Sequence, residues 1–89
     1  MNVSTDKNPA IAKYCRAWVD EVEVTSDCFE ADDESGFVIV IDRIDGKIMA
    51  DETGNVRKKT IVGSVRIGLV DNASDTVFWE FEKLRSVMA

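Results

Sequence analysis

Ile11, Cys15, Trp18 and Val22 recur at spacings of four, three and four residues, which would align them on one face of an α-helix. Asn8 and Pro9 stand just ahead of them, a capping side chain followed by the residue best tolerated in a first helical turn. Lys13, Arg16, Asp20 and Glu21 fall off the stripe and Tyr14 borders it. The pattern predicts a helix over 9–22. Residues 1–8 are polar and predict a flexible lead-in, leaving 9–89 as a single α+β domain. Val22 and Val24 then alternate with polar residues, which suits a short edge strand, and 27–35 reads as an acidic loop.

After Gly36 the pattern changes. Phe37, Val38, Ile39, Val40 and Ile41 form an unbroken, β-branched run of the kind found in a central strand covered on both faces. Asp45-Gly46 suits a type I′ hairpin turn, which would set Ile44 opposite Lys47 and send a return strand to about Glu52. Thr53-Gly54-Asn55 makes a second turn. From about Arg57 to Val70 one long strand is expected. Ile61, Gly63, Val65, Ile67 and Leu69 would face a core shared with Phe37, Ile39 and Ile41. Gly63 and Gly68 are candidate bends within it. These segments predict a three-stranded antiparallel meander.

The last segment reads two ways. Ser74 can cap a helix whose Val77, Phe81, Leu84 and Met88 make another stripe, supported by the Glu80–Lys83 and Glu82–Arg85 spacings. Val77, Trp79 and Phe81 also alternate as a fourth strand would. The helix is favoured. The fold expected is therefore α+β: an N-terminal helix, the meander and a C-terminal helix.

Composition narrows the chemistry. At 89 residues and 45% hydrophobic content the chain is sized for one core. No apolar run approaches the ~20 residues of a membrane span. The polar start lacks the layout of a secretory signal, so a cytoplasmic location is expected. Two cysteines, Cys15 and Cys28, are too few for a disulfide framework. Cys15 is expected buried and Cys28 partly exposed, with Asp27 and Glu30 disfavouring its thiolate.

Histidine is absent, which removes Ser–His and Cys–His nucleophile pairs. Aligning Gly36 with the glycine of a helix-loop-helix calcium loop puts Ala31, which cannot ligate, at the first position. Phosphate-cradling glycine loops are missing. No cofactor, metal site or catalytic residue is expected.

The charge distribution is the informative feature. Nine acidic residues and no basic one lie between Ala17 and Asp42, leaving plus three on the rest of a chain of net charge −6. Arg43, Lys47, Arg57, Lys58, Lys59 and Arg66 make the hairpin region basic. The Arg57-Lys58-Lys59 triplet reads as a solvated turn. Closely spaced carboxylates can imitate a phosphate track and dock on a basic surface, drawn by long-range attraction.

The binding residues expected from this reading are Asp20, Glu23, Asp27, Glu30, Asp32, Asp33 and Glu34, with Trp79 as an exposed aromatic; Trp18 is expected in the core. The function expected is that of a small acidic, non-enzymatic binding protein with a basic protein partner, no direct nucleic-acid contact and no membrane. By analogy of size and charge it suits a phage or mobile-element inhibitor of nucleic-acid machinery, of the anti-CRISPR or DNA-mimic kind, in the host cytoplasm. The alternative is an assembly protein that forms a homodimer through a sheet edge or its C-terminal aromatics.

Overall fold

The computed structural model describes residues 1–87, and among these the fold is mostly sheet. Seven strands form two antiparallel sheets: β1 (Asn2–Ser4), β2 (Cys15–Val19), β3 (Val22–Glu23), β4 (Cys28–Asp32), β5 (Phe37–Ile41), β6 (Lys58–Val62) and β7 (Val65–Leu69). One sheet has the order β1-β4-β5-β6 and the other β3-β2-β7. A four-residue helix, α1 (Pro9–Ala12), follows β1, and α2 (Asp75–Val87) ends the described chain. No helix among the described residues is long and apolar enough to cross a membrane.

This architecture overturns the expected N-terminal helix and three-stranded meander. Helix survives only over Pro9–Ala12, and Cys15–Val19 is a strand paired residue for residue with β7. Two periods coexist in this segment. Ala17 and Val19 are buried while Arg16 and Trp18 lie on the opposite face, a period of two that the helical stripe conceals. Five ladder pairs with β7 outweigh a short amphipathic helix, which tertiary packing would have to sustain. The stripe's last member, Val22, is 63% exposed.

Two further segments read as loop are strands. The first residues pair with β4 as Asn2↔Asp32, Val3↔Ala31 and Ser4↔Glu30, and the Met1 side chain is buried, so residues 2–4 form the edge strand of the larger sheet. Cys28–Asp32 runs through the expected acidic loop as a central strand of the larger sheet.

The expected long strand is broken at Gly63-Ser64, and its halves belong to different sheets. A Cβ on Gly63 would lie 2.5 Å from the Asp20 carboxylate, so only glycine fits this corner unless Asp20 moves. β5 pairs with β6 over Phe37↔Val62 to Ile41↔Lys58, not with the segment after Gly46. Residues 42–57 form an arm whose Ile44 and Lys47 exchange two hydrogen bonds, and Asp45 and Gly46 both have positive φ, as a type I′ turn requires.

The core lies between the sheets, where Val3, Ala31, Val38 and Val40 face Ala17, Val19 and Ile67. The inward residues of β5 are thus Val38, fully buried, and Val40; Phe37, Ile39 and Ile41 are half-exposed on the outer face. An unbroken apolar run has no phase, so the sequence could not say which set points in. The C-terminal segment is helical. The Val77 N–H donates to the Ser74 hydroxyl at 3.3 Å, and Phe81 is buried in the core. Met88, the last of its stripe, lies outside the described residues.

Candidate functional site

The seven acidic residues do not form one surface. Most are bound into the fold. Glu23 on β3 accepts two hydrogen bonds from the Arg16 guanidinium, at 2.9 and 3.1 Å, and a third from the Thr25 hydroxyl at 2.7 Å. The Arg16 and Thr25 bonds hold its carboxyl well down, at about 2. Asp27 is gripped in the same two-pronged way by Arg43, both bonds at 3.0 Å, and its carboxyl is lowered by that guanidinium.

Asp32 is buried and serves the turn after β4. Its Oδ1 accepts from the Ser35 and Glu34 backbone N–H groups at 2.8 and 3.0 Å, and the Asn2 amide donates to its other oxygen at 3.2 Å. These bonds lower its carboxyl, the Ser35 N–H most of all. The same Asn2 amide donates to Glu30 at 2.9 Å. Carboxylates occupied in this way hold strands and turns in register, and a partner would have to compete with those bonds to reach them.

Asp20, Asp33 and Glu34 do come together at one end of the sandwich. The Asp20 carboxylate accepts from the Ser64 N–H, and the Gly63 N–H donates to the Gly36 carbonyl at 3.0 Å, which joins the 20–21, 33–36 and 63–64 turns. Asp33 there accepts from the Met1 amino group at 2.9 Å. β7 starts at this end and carries the chain away from it, so α2 begins at the other end.

The aromatic residue expected on the surface is there, with a companion. Trp79 is 66% and Phe78 50% exposed, and their rings stand edge to face with centroids 6.3 Å apart. The helix fixes them because Phe81 and Leu84 turn the opposite side into the core. Asp75 lies one turn before Trp79 and Glu82 one turn after Phe78, with Glu80 between. Lys83 reaches Glu80 loosely, at 3.6 Å.

Trp18 is not in the core. It lies half-buried on the outer face of the smaller sheet, over Gly68, with the guanidinium of Arg66 4.1 Å and that of Arg16 5.0 Å from its ring centroid. The alternation of Tyr14, Arg16 and Trp18 against Cys15, Ala17 and Val19 was the available signal for that placement.

Both thiols are half-buried and line one small, partly open pocket of about 40 Å³ with Val3, Ala17, Ala31 and Ile67. Burial, with Cys28 nearby, pushes the Cys15 thiol up to about 11; burial also raises Cys28, whose Sγ lies 3.2 Å from the Glu30 carbonyl. Neither is a ready nucleophile.

Sequence reasoning also missed the outer edge of the larger sheet. The Arg57-Lys58-Lys59 triplet leads into β6, which among the described residues pairs only with β5. Beside it runs a groove of about 260 Å³ with Val24, Val40 and Ile61 as its floor and Lys59 on its rim. Edge position depends on pairing across the whole chain, so no local pattern could have announced it.

No family model, curated protein or solved structure matches this chain.

Proposed function

We propose that this chain is a non-enzymatic binding protein that docks an aromatic anchor, set among carboxylates, onto a basic surface of a partner protein. The observation that carries the reading is the exposure of Trp79 and Phe78 side by side on α2. Large aromatics cost little conformational entropy to fix and dominate interface energetics when a partner covers them. Asp75, Glu80 and Glu82 outnumber Lys83, which sits one turn after Trp79, so the surrounding helix surface is net acidic, and Asp71 adds to it. Rim charge of one sign steers association toward the opposite sign.

The anchor replaces the carboxylates of 23–32 at the centre of the reading, because those residues already have partners within the fold. Asp20, Asp33 and Glu34 are a second, smaller acidic zone. Proteins that handle nucleic acid supply basic surfaces of the required kind. An inhibitor role against such a protein rests on size and charge alone.

The test is an affinity capture from source-cell lysate at low and high salt, with wild type, Trp79→Ala and an Asp75→Asn/Glu82→Gln pair. A stoichiometric partner with a basic surface, lost in Trp79→Ala and weakened by salt and by the paired change, supports the reading. A partner retained by Trp79→Ala overturns it. Recovery of only the protein itself replaces it with self-assembly.

A further inference from the structure

The free edge of β6 and the groove beside it form a second surface, independent of the aromatic anchor. The direction of its main-chain groups follows from the ladder. The Gly63 N–H bonds to the Gly36 carbonyl and the Asp42 N–H to the Arg57 carbonyl. Hydrogen-bonded pairs alternate along an antiparallel ladder, so Lys59 and Ile61 exchange their bonds with Val40 and Val38. The N–H and C=O groups of Lys58, Thr60 and Val62 therefore point away from the sheet, and no other described segment pairs with them.

The side chains of Lys59 and Ile61 lie on the groove side of this strand. Val24, Val40 and Ile61 make an apolar floor. Of the charges around it, Asp27 is matched by Arg43 and Glu23 by Arg16, while Lys59 forms no ion pair among the described residues. One uncompensated cation thus stands beside an apolar trough, along an edge with three residues' worth of unused main-chain bonds.

We propose that β6 receives an extended segment of a partner protein as an added antiparallel strand. Main-chain bonds to Lys58, Thr60 and Val62 supply the attachment, and alternate side chains supply the selection. The residue opposite Ile61 faces the apolar floor and the residue opposite Lys59 faces the ammonium. Reading the incoming strand in its own direction, the motif is an apolar residue, any residue, then an acid. The lysine pair at 58–59 also disfavours a second β6 in this place, since edge lysines oppose pairing between like strands.

The probe is a capped peptide, TLTETT, whose leucine and glutamate fall opposite Ile61 and Lys59, titrated into the intact protein by NMR. Saturable shifts centred on β6 are expected, with exchange slowed at the Lys58, Thr60 and Val62 amides and unchanged at Lys59 and Ile61. Thr60→Pro removes one outward N–H without touching the bonds to β5, and abolishes binding. Lys59→Glu weakens TLTETT by about tenfold or more and admits TLTKTT in its place, a reversal that loss of folding cannot produce.

Saturable shifts elsewhere, no saturable shift at millimolar peptide, or equal binding of TLTETT and TLTKTT by the wild type would overturn the proposal. So would a dimer in sedimentation that Thr60→Pro dissociates, which would assign the edge to a second copy.

Discussion

Asp20 and Ser64 are joined twice: the Asp20 N–H donates to the Ser64 carbonyl at 2.8 Å, and the Ser64 N–H donates to the Asp20 carboxylate at 2.9 Å. The first bond ends the β2–β7 ladder. The second fixes the corner at which the chain leaves one sheet for the other. Asp20→Ala should destabilise the protein by about 1 kcal/mol, the scale of one hydrogen bond to a partly exposed carboxylate. Gly63→Ala should cost more, because its new methyl meets that carboxylate. If the collision is the cause, Gly63→Ala costs clearly less in the Asp20→Ala background. Additive losses in urea denaturation of the four proteins would show the two residues to be independent.

The two hairpin turns invite opposite changes. Asp20-Glu21 and Asp45-Gly46 both hold positive φ, yet only the second has glycine at its second position. Glu21, at φ 70°, adopts a conformation that costs a residue with a Cβ about 1 kcal/mol. Glu21→Gly should raise stability by about 0.5–1 kcal/mol, and Gly46→Ala should lower it by a similar amount. Gly36 is a harder case. Its φ is 76°, and a Cβ there would lie 2.8 Å from the Gly63 carbonyl oxygen, so Gly36→Ala should lower stability the most. Thermal midpoints of the three variants check the order.

These turns also show what could and could not be read from the sequence. Asp45-Gly46 was legible because the residues themselves demand φ > 0. Asp20-Glu21 was not, since a helical stripe ran through it and the turn is held by Ser64, a residue 44 positions away. α2 was legible from its cap and from Phe81 and Leu84. The sheet assignment of β4 was hidden by its charge: Glu30, half-buried, and Asp32, buried, are both bonded to Asn2, a partner at the start of the chain about 30 residues away. The same long-range partners explain the candidate site. Counting carboxylates finds them, but only the fold reveals that Arg16, Arg43 and Asn2 already hold four of the seven. Trp79 was legible because two adjacent aromatics cannot both turn inward on one helix.

Acid sensitivity follows from those held carboxylates. Glu23, Asp27 and Asp32 have folded-state values below the ordinary carboxylate range, as does Asp51, whose Oδ1 accepts from the Thr53 hydroxyl and N–H and the Asn55 N–H in the 51–55 turn. A lowered value means that the folded state releases its protons more readily than the unfolded one. The resulting stability is present above the unfolded value of about 4 and is lost as pH falls through the folded values. Urea midpoints should therefore stay flat from neutral pH to about 5, where no histidine titrates, and drop steeply below about 4. Asp32→Asn should be less stable at neutral pH and show a shallower acid slope. An unchanged slope would remove Asp32 from this account.

The anchor reading requires that Trp79 contribute to binding and not to folding, and its neighbour Phe81 tests the separation. The two residues lie two positions apart on α2, yet Trp79 is 66% and Phe81 3% exposed. Truncating a buried phenylalanine removes its burial and leaves a cavity, a loss of about 3–5 kcal/mol. Phe81→Ala should therefore lower the thermal midpoint sharply and broaden the transition as α2 loosens from the core. Trp79→Ala should leave the midpoint within a few degrees of wild type, because solvent already surrounds most of the indole. A large loss in Trp79→Ala would mean that the indole supports the helix, and its exposure would then no longer argue for a partner.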